Sequence, residues 1–418
     1  MDWNFLTRNK DSLCVSTDTR NLPAGCVFFA LKGETFDGNL FAGQALTNGA
    51  SIAIVSDEDV YSQLVKEYGE SRAVLLEPDM RGRGGVDALQ DLARAWRREL
   101  ALPIIGITGT NGKTTTKELT AAVLATKYRI HYTQGNLNNS IGVPLTLLQL
   151  TRQHELAIVE MGASHPGDIQ ELVNVAEPNY GVITNVGRAH LQGFGSFEGV
   201  QHTKQELYDY LCQHDGIVFR NSDNPYLATM YADACRKAGR TPQLIEYKTG
   251  VMPSDTHLVG AYNAENVSAA LCIGEYFGIG KEQGLAAIRA YVPSNNRSQL
   301  MRSERGNIIV VDAYNANPTS MQAAINAFTG DTFILGGMRE LGGYSHLEHQ
   351  NIVNMLAERK AQHVLLIGAE YAETTAPYPV LTDVQALIEY LQQHPITDSH
   401  ILLKGSRGNQ LEKALPFL

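Results

Sequence analysis

The stretch Gly106-Ile107-Thr108-Gly109-Thr110-Asn111-Gly112-Lys113-Thr114-Thr115 sits between an apolar run at 103–108 and a segment of helical spacing at 114–127. The order strand, glycine-rich turn, helix is that of a phosphate-binding loop. Glycines let the backbone curl so that its N–H groups face phosphate oxygens, and the helix N-terminus adds a favourable dipole. Lys113 can reach the β- and γ-phosphates, and the Thr114 hydroxyl can ligate Mg²⁺. The spacing departs from GxxxxGK[ST], because position 107 is Ile and the glycine comes one residue earlier. The alternative is a glycine-rich turn carrying a chance GKT, and the strand before and helix after it weigh against that.

Outward from the loop, strands and helices alternate. Leu156–Glu160 and residues 181–185 have the composition of buried strands, and such alternation implies a parallel sheet covered by helices. The same grammar restarts after a break at 292–296, with Ile308–Asp312, 332–335, His363–Ile367 and 400–403 as strands. Upstream, a glycine- and charge-rich break at 79–85 follows the short apolar segment 73–76. It precedes a helix at Val86–Leu100 with Leu89, Leu92, Ala93 and Trp96 on one face. Three domains are expected, at 1–82, 83–293 and 294–418.

Composition narrows the function. The chain has 418 residues, 44% hydrophobic and 19% charged, as in ordinary globular proteins. A formal net charge of -10 argues against non-specific binding to nucleic acid or an anionic membrane surface. It leaves anionic small molecules open, since backbone amides and metal ions bind phosphates inside acidic proteins. Cys14, Cys26, Cys212, Cys235 and Cys272 show no CxxC spacing and are expected as reduced thiols. The first residues lack the basic-then-apolar pattern of a signal peptide, and no apolar run approaches the roughly 20 residues that span a bilayer. The expected location is the cytoplasm.

In open parallel sheets, ligands bind beyond the carboxyl ends of the strands. One such end carries Glu160-Met161-Gly162-Ala163, and another Asn185-Val186-Gly187-Arg188-Ala189-His190. A carboxylate and an imidazole beside a nucleotide suit a divalent metal. Spacing alone equally allows Glu160 as a capped carboxylate and His190 as a surface histidine. Lys204 by itself reads as a solvated helical lysine.

The ordered motifs together resemble the Mur ligases of peptidoglycan synthesis, over essentially the whole chain. Near the start stand Ser16-Thr17-Asp18-Thr19-Arg20 and Phe28-Phe29-Ala30-Leu31-Lys32-Gly33. The phosphate loop and Gly135-Asn136-Leu137-Asn138-Asn139-Ser140 follow, then Tyr262-Asn263-Ala264-Glu265-Asn266. Last come Asp312-Ala313-Tyr314-Asn315-Ala316-Asn317-Pro318, Met338-Arg339-Glu340-Leu341-Gly342 and Lys404-Gly405-Ser406-Arg407. The likeness is to the member that adds D-alanyl-D-alanine. The DNPR segment of the tripeptide-forming relative is absent, and a folylpolyglutamate-type ligase would not carry DAYNANP or KGSR. Gly337 stands where relatives often carry an acidic residue.

The resemblance implies an α/β protein of three domains. These are a small N-terminal UDP-binding α/β domain, a central parallel-sheet ATPase domain with the phosphate loop, and a C-terminal Rossmann-like α/β domain that receives the dipeptide. It implies ATP and Mg²⁺, with Gly109, Thr110, Asn111, Gly112, Lys113, Thr114 and Thr115 on the phosphates. Asn263 and Asn266 would lie at the adenine, and Arg297 and Asp312 would reach ATP from the third domain. Thr114, Glu160, His190 and a carbamylated Lys204 would serve the metal, with Lys113, Lys204 and His190 as the catalytic set. Ser16, Asp18 and Arg20 would meet the UDP-sugar, with Asn139 close to the phosphates. Asn315, Asn317, Lys404 and Arg407 would meet the dipeptide. The implied reaction joins D-alanyl-D-alanine to UDP-N-acetylmuramoyl-tripeptide through an acyl phosphate, in a monomer without nucleic-acid or membrane partners. A nucleotide-binding homologue without turnover is the alternative class. Such a homologue would be expected to lack one of Lys113, Glu160, His190 or Lys204, and all four are present.

Overall fold

A computed structural model of the chain describes residues 1–77, 82–253, 255–260, 262–293 and 297–418. The expected breaks at 79–85 and 292–296 therefore fall partly outside the described residues. Three sheets succeed one another along the chain. The first is β1 (Val15–Ser16), β2 (Val27–Phe29), β3 (Ile52–Val55) and β4 (Ala73–Leu75), parallel and in sequence order.

The second sheet contains β5 (Ile104–Thr108), β6 (Ile130–Tyr132), β7 (Leu156–Glu160), β8 (Tyr180–Ile183), β9 (Ile217–Asn221) and β10 (Gln243–Tyr247). It is wholly parallel in the order β10-β9-β8-β5-β7-β6. Its first strand, β5, lies in the middle, so the chain winds one way to β6 and β7 and then the other way to β8. A crevice opens where the winding reverses. Every residue of β5 and β7 is buried, as strands covered on both faces require.

The third sheet comprises β11 (Gln299–Arg302), β12 (Ile308–Asp312), β13 (Thr332–Gly336), β14 (His363–Ile367), β15 (Val380–Leu381) and β16 (His400–Lys404). The order is β11-β12-β16-β13-β14-β15. Only β11 among them runs antiparallel, on the edge beside β12.

The helix Val86–Leu100 joins the first two units. Leu89, Leu92, Ala93 and Trp96 are fully buried, in a core that also holds Phe29 and Ile54 of the first sheet and Val143 and Leu147 of the second unit. The Trp96 indole N–H donates to the Leu150 carbonyl at 3.0 Å, so the apolar stripe is anchored by a satisfied polar tip.

One expectation is corrected. Cys14 and Cys26 are joined as a disulfide, while Cys212, Cys235 and Cys272 are free. Val15 pairs with Val27 across β1 and β2, so the two preceding cysteines face each other with Cα atoms 4.6 Å apart. Parallel register brings them together; their spacing in sequence carries no such sign.

Candidate active site

Three adjacent strand ends build the floor of the site. Ile107 pairs with Glu160, and Thr108 with Ile183, so the phosphate loop emerges between the ends of β7 and β8. Two loop positions require glycine. A Cβ on Gly109, at φ +142°, would lie 2.0 Å from Thr184 Oγ1, and one on Gly112, at φ +78°, would lie 2.3 Å from Asn266 Oδ1. The β8 exit ties the loop down. Thr184 Oγ1 donates to the Asn111 carbonyl at 2.6 Å, and the Asn111 N–H donates to Asn185 Oδ1 at 3.0 Å.

Lys113 begins the helix Lys113–Leu124, and its ammonium donates to the carbonyls of Gly109 and Thr110 at 2.8 and 3.0 Å. Burial pushes this amine down to about 8, with Glu160 opposing the shift and Arg297 adding to it. An anionic phosphate in its place of action would favour the charged form.

The loop floors a cavity of about 780 Å³ that draws on both the central and third units. Thr110–Thr115, Asn139, Glu160, His190, Asn263, Asn266, Arg297, Asp312, Asn315 and Lys404 all border it. The size suits a nucleotide together with part of a second substrate.

Glu160 is 1% exposed. Its Oε1 accepts from Asn138 at 2.8 Å and from the Thr114 hydroxyl at 3.2 Å. Its Oε2 is buried and has no hydrogen-bond partner among the described residues. A carboxylate oxygen left open beside a phosphate loop fits Mg²⁺, which takes one or two carboxylates plus phosphates and water. Among the described residues no cluster of three or more His, Cys, Asp or Glu side chains could hold a metal by itself. Glu160 Oε2 beside the phosphate loop fits a cation brought in with the nucleotide.

Lys204 is 2% exposed and lies outside the cavity lining, its ammonium 5.5 Å from the centre of the Phe194 ring. Burial first, and Lys113 second, hold its pKa well below the ordinary lysine value; Asp168 and Glu206 oppose them. His190 has a left-handed backbone at φ +49°, and its Nδ1 lies against the Glu340 carboxylate of the third unit. Burial lowers the imidazole pKa, Glu340 raises it, and Lys113 lowers it.

Asn263 and Asn266 stand behind the loop. Asn266 donates to Asn263 Oδ1 at 2.9 Å and accepts from Thr116, while Asn263 donates to the Val259 carbonyl. Their amides are thus engaged in bracing Gly112 and the loop helix.

From the third unit, β12 and β16 pair Asp312 with Lys404, and their side chains form a 2.5 Å ion pair. Lys404 is 1% exposed and also donates to the Asn315 carbonyl at 3.3 Å, so it fixes the turn after β12. Asn317 caps the helix Pro318–Ala327 with a capping box, and its Nδ2 donates to Asn111 Oδ1 at 2.7 Å. Both side chains thus hold the turn and the helix start while bordering the cavities.

Arg407 is placed differently. With Tyr314, Asn315, Arg339 and Ser406 it borders a smaller cavity of about 190 Å³, which meets the large one at His190, Tyr314, Asn315 and Glu340. Ser406 Oγ is buried there without a partner among the described residues. At Gly337 a Cβ would lie 2.5 Å from Glu370, so that glycine makes room for a carboxylate supplied from elsewhere.

The third unit docks directly on the floor. Arg188 donates to Glu348 at 3.0 Å, and its backbone N–H to Thr319 Oγ1 at 3.0 Å. Ser16, Asp18 and Arg20 do not border the cavity. Ser16 Oγ donates to the Asp18 carbonyl, and Arg20 pairs with Asp18 at 2.6 Å, holding that carboxyl down to about 2.

Reading the sequence passed over Lys117, Asn138, Tyr314, Arg339 and Glu340. Four of them lie within the quoted motifs and Lys117 two residues past the phosphate loop, so the motifs pointed to the right segments but not to which side chains turn inward. No helix among the described residues is long and apolar enough to cross a membrane.

Comparison with known proteins agrees with this geometry. Residues 14–97 match the Mur ligase family catalytic domain, 107–240 the Mur ligase middle domain, and 296–407 the Mur ligase glutamate ligase domain. The Bacillus subtilis UDP-N-acetylmuramoyl-tripeptide–D-alanyl-D-alanine ligase is 34% identical, covering 97% of this chain and 92% of the relative. The Thermotoga maritima MurF ligase, solved in complex with ADP, superposes with a TM-score of 0.80 at 26% identity, covering 98% of each chain. A MurF crystal structure from Acinetobacter baumannii gives a TM-score of 0.79 at 28% identity, over 96% of this chain and 92% of that one.

Proposed function

The chain belongs to the Mur ligase family, and we propose that it carries out the reaction its relatives are named for. ATP drives the joining of D-alanyl-D-alanine to UDP-N-acetylmuramoyl-tripeptide. The observation that carries this reading is one phosphate-loop cavity, bordered by the third unit and sharing His190, Tyr314, Asn315 and Glu340 with a second cavity of about 190 Å³.

A peptide carboxylate is a poor electrophile. Its oxygen attacks the γ-phosphorus of ATP, the bond from that phosphorus to the β–γ bridging oxygen breaks, and ADP leaves. The amine of the dipeptide then attacks the acyl carbon, inorganic phosphate departs, and the amine loses a proton. In the first step two anions must meet. Lys113 and the backbone N–H groups of the loop supply positive charge, and Arg297 adds more from the third unit. Mg²⁺, held by Glu160 and Thr114, would neutralise phosphate charge when bound. Holding amine and acyl phosphate together can lower the barrier by on the order of 7–11 kcal/mol. Docking of the third unit on the floor keeps water from the acyl phosphate.

The smaller cavity is the acceptor site in this reading. Arg407 and Arg339 suit the dipeptide carboxylate, with the unpartnered Ser406 hydroxyl beside them. The amine would lie on the side of Glu340 and His190, which border both cavities. Asn315 lies on the border between the two, and Lys404 and Asn317 shape the walls. Asn263 and Asn266 act on the nucleotide through the loop they brace, and Asp312 acts through its bond to Lys404. The first unit receives the UDP-sugar, with the exposed Asp18–Arg20 pair at its surface, and Asn139 faces the phosphates.

Lys204 carries a carbamate in the working enzyme. A buried amine of lowered pKa is a ready nucleophile for CO₂, losing one proton as the N–C bond forms, and the product is an anion that relieves the repulsion from Lys113. The enzyme works in the cytoplasm, where ATP is available.

The deciding experiment is phosphate release from ATP across a panel of UDP-muramoyl peptides and acceptors. The tripeptide with D-alanyl-D-alanine should react, and single amino acids poorly. Ligation of a free diamino acid to the UDP-dipeptide, with none of D-alanyl-D-alanine, would make this the preceding ligase.

A further inference from the structure

We propose that Tyr314 is a positioning residue that holds one cation for each of two substrates, Arg297 for the nucleotide and Arg407 for the dipeptide. The inference deepens the ligase reading and rests on it. The guanidinium of Arg297 lies 4.0 Å from the centre of the Tyr314 ring, and that of Arg407 lies 5.5 Å from it. Tyr314 borders both cavities, whereas Arg297 borders only the large one and Arg407 only the small one. The ring is therefore a shared wall with a cation for each compartment.

Its placement is fixed from below. Tyr314 follows β12 by two residues, where the Asp312–Lys404 ion pair and the bond from Lys404 to the Asn315 carbonyl pin the turn. Among the described residues the ring is what both guanidiniums share, and neither has an ion pair.

The chemistry of such a contact matters. An aromatic face attracts a guanidinium without consuming its N–H donors, so the planar fork stays aimed at an oxyanion. A free arginine samples many rotamers, and an anchored one loses less on binding. Two like charges on one ring are uncomfortable until their anions arrive, so phosphate on one side and carboxylate on the other both relieve the repulsion. The ring is then the piece through which nucleotide and acceptor share a wall. Ordinary packing of a tyrosine would predict none of this, since it would leave both Michaelis constants alone.

The test is steady-state kinetics of the full chain with ATP, UDP-muramoyl-tripeptide and D-alanyl-D-alanine. The Tyr314→Phe enzyme keeps the ring and should stay near wild type. Tyr314→Leu should raise the KM for both ATP and dipeptide, each by between about two- and thirtyfold, with a smaller change in kcat. Arg297→Ala should raise only the ATP KM, and Arg407→Ala only the dipeptide KM. Adding Tyr314→Leu to the double arginine variant should change little further. The proposal is overturned if Tyr314→Leu moves neither KM or only one of them, or if Phe is as damaging as Leu. ADP affinity by titration, with thermal melting to confirm folding, reads the nucleotide arm without turnover. A wild type that binds ADP but ligates no dipeptide would instead refute the ligase reading, leaving the Tyr314–Arg297 arm to be judged on ADP affinity alone.

Discussion

Lys117 offers the sharpest test of how the floor of the site is held. It is completely buried, and its ammonium donates to the Thr133 carbonyl at 2.6 Å. It pairs with Glu118 at 2.9 Å and stands 4.0 Å from Glu160 Oε2. Replacing it with methionine keeps most of the volume but removes the positive charge, leaving Glu160, 1% exposed, without its ion-pair partner. Breaking a buried pair from one side typically costs about 3–5 kcal/mol. For a unit of this size each kcal/mol lowers the melting temperature by about 2–4 °C, so Lys117→Met should melt roughly 6–20 °C below wild type. Adding Glu160→Gln removes the stranded charge and should return much of the loss, a coupling that a double-mutant cycle reads directly. Mg²⁺ with ADP should stabilise Lys117→Met more than wild type, because the metal supplies the missing positive charge. Calorimetric melting of the four proteins, with and without Mg·ADP, decides it. If Lys117→Met melts within about 2 °C of wild type, Lys117 is not what compensates Glu160. An equal Mg·ADP increment in both proteins would remove the metal from Glu160.

Two further outcomes are expected. Lys204→Ala should lose on the order of 10²–10³-fold in kcat, with partial rescue by small carboxylates, and wild type in ¹³C-bicarbonate should show a carbamate carbon resonance missing from the variant. Full activity without Lys204, or no such resonance, removes the carbamate. His131, in β6, is held down to about 4 by burial and by His154, against an ordinary value of 6.5. The unfolded chain then binds the extra proton between those values, so this stability is complete above about pH 6.5 and falls as the pH drops toward 4. The ring is partly exposed, which reduces the full shift to about 1–2 kcal/mol. His131→Gln should flatten the fall in urea midpoint between pH 7 and 5, and an unchanged slope would refute the assignment.

What was legible in the sequence was local. Leu156–Glu160, Ile308–Asp312 and His363–Ile367 are strands with the expected ends, because an apolar run bounded by polar residues fixes a buried strand without outside help. The helix Val86–Leu100 was legible for the same reason, its four apolar positions falling on one face. The phosphate loop was legible because its chemistry is backbone chemistry, written in glycines. Side-chain direction was not. Asn317 has the composition of a ligand-binding amide, yet it precedes Pro318, and an asparagine before a proline at a helix start is a cap. Lys404 faces Asp312 only because β12 and β16 lie side by side, although about ninety residues separate them. The same kind of register joins Cys14 to Cys26.

The contacts between the units bear on mechanism. Three polar contacts hold the third unit in place, and each takes in or adjoins a residue expected at a ligand: Asn317 on Asn111, Glu340 on His190, Glu348 on Arg188. Each joins a residue in or just beyond the central strand ends to one more than a hundred positions away. The Asn111 contact is the most telling, because Asn111 sits in the phosphate loop itself and its backbone N–H is already held by Asn185. A loop that must close around triphosphate and a unit that must close over the acyl phosphate therefore meet at one amide pair. Since His190 and Glu340 also border the smaller cavity, the docked interface and the acceptor site proposed there share residues. A separation of the third unit would thus dismantle the dipeptide site as it opens the nucleotide site. On the proposed reading the amine would meet the acyl phosphate only while the third unit is docked, which is the arrangement that keeps water away.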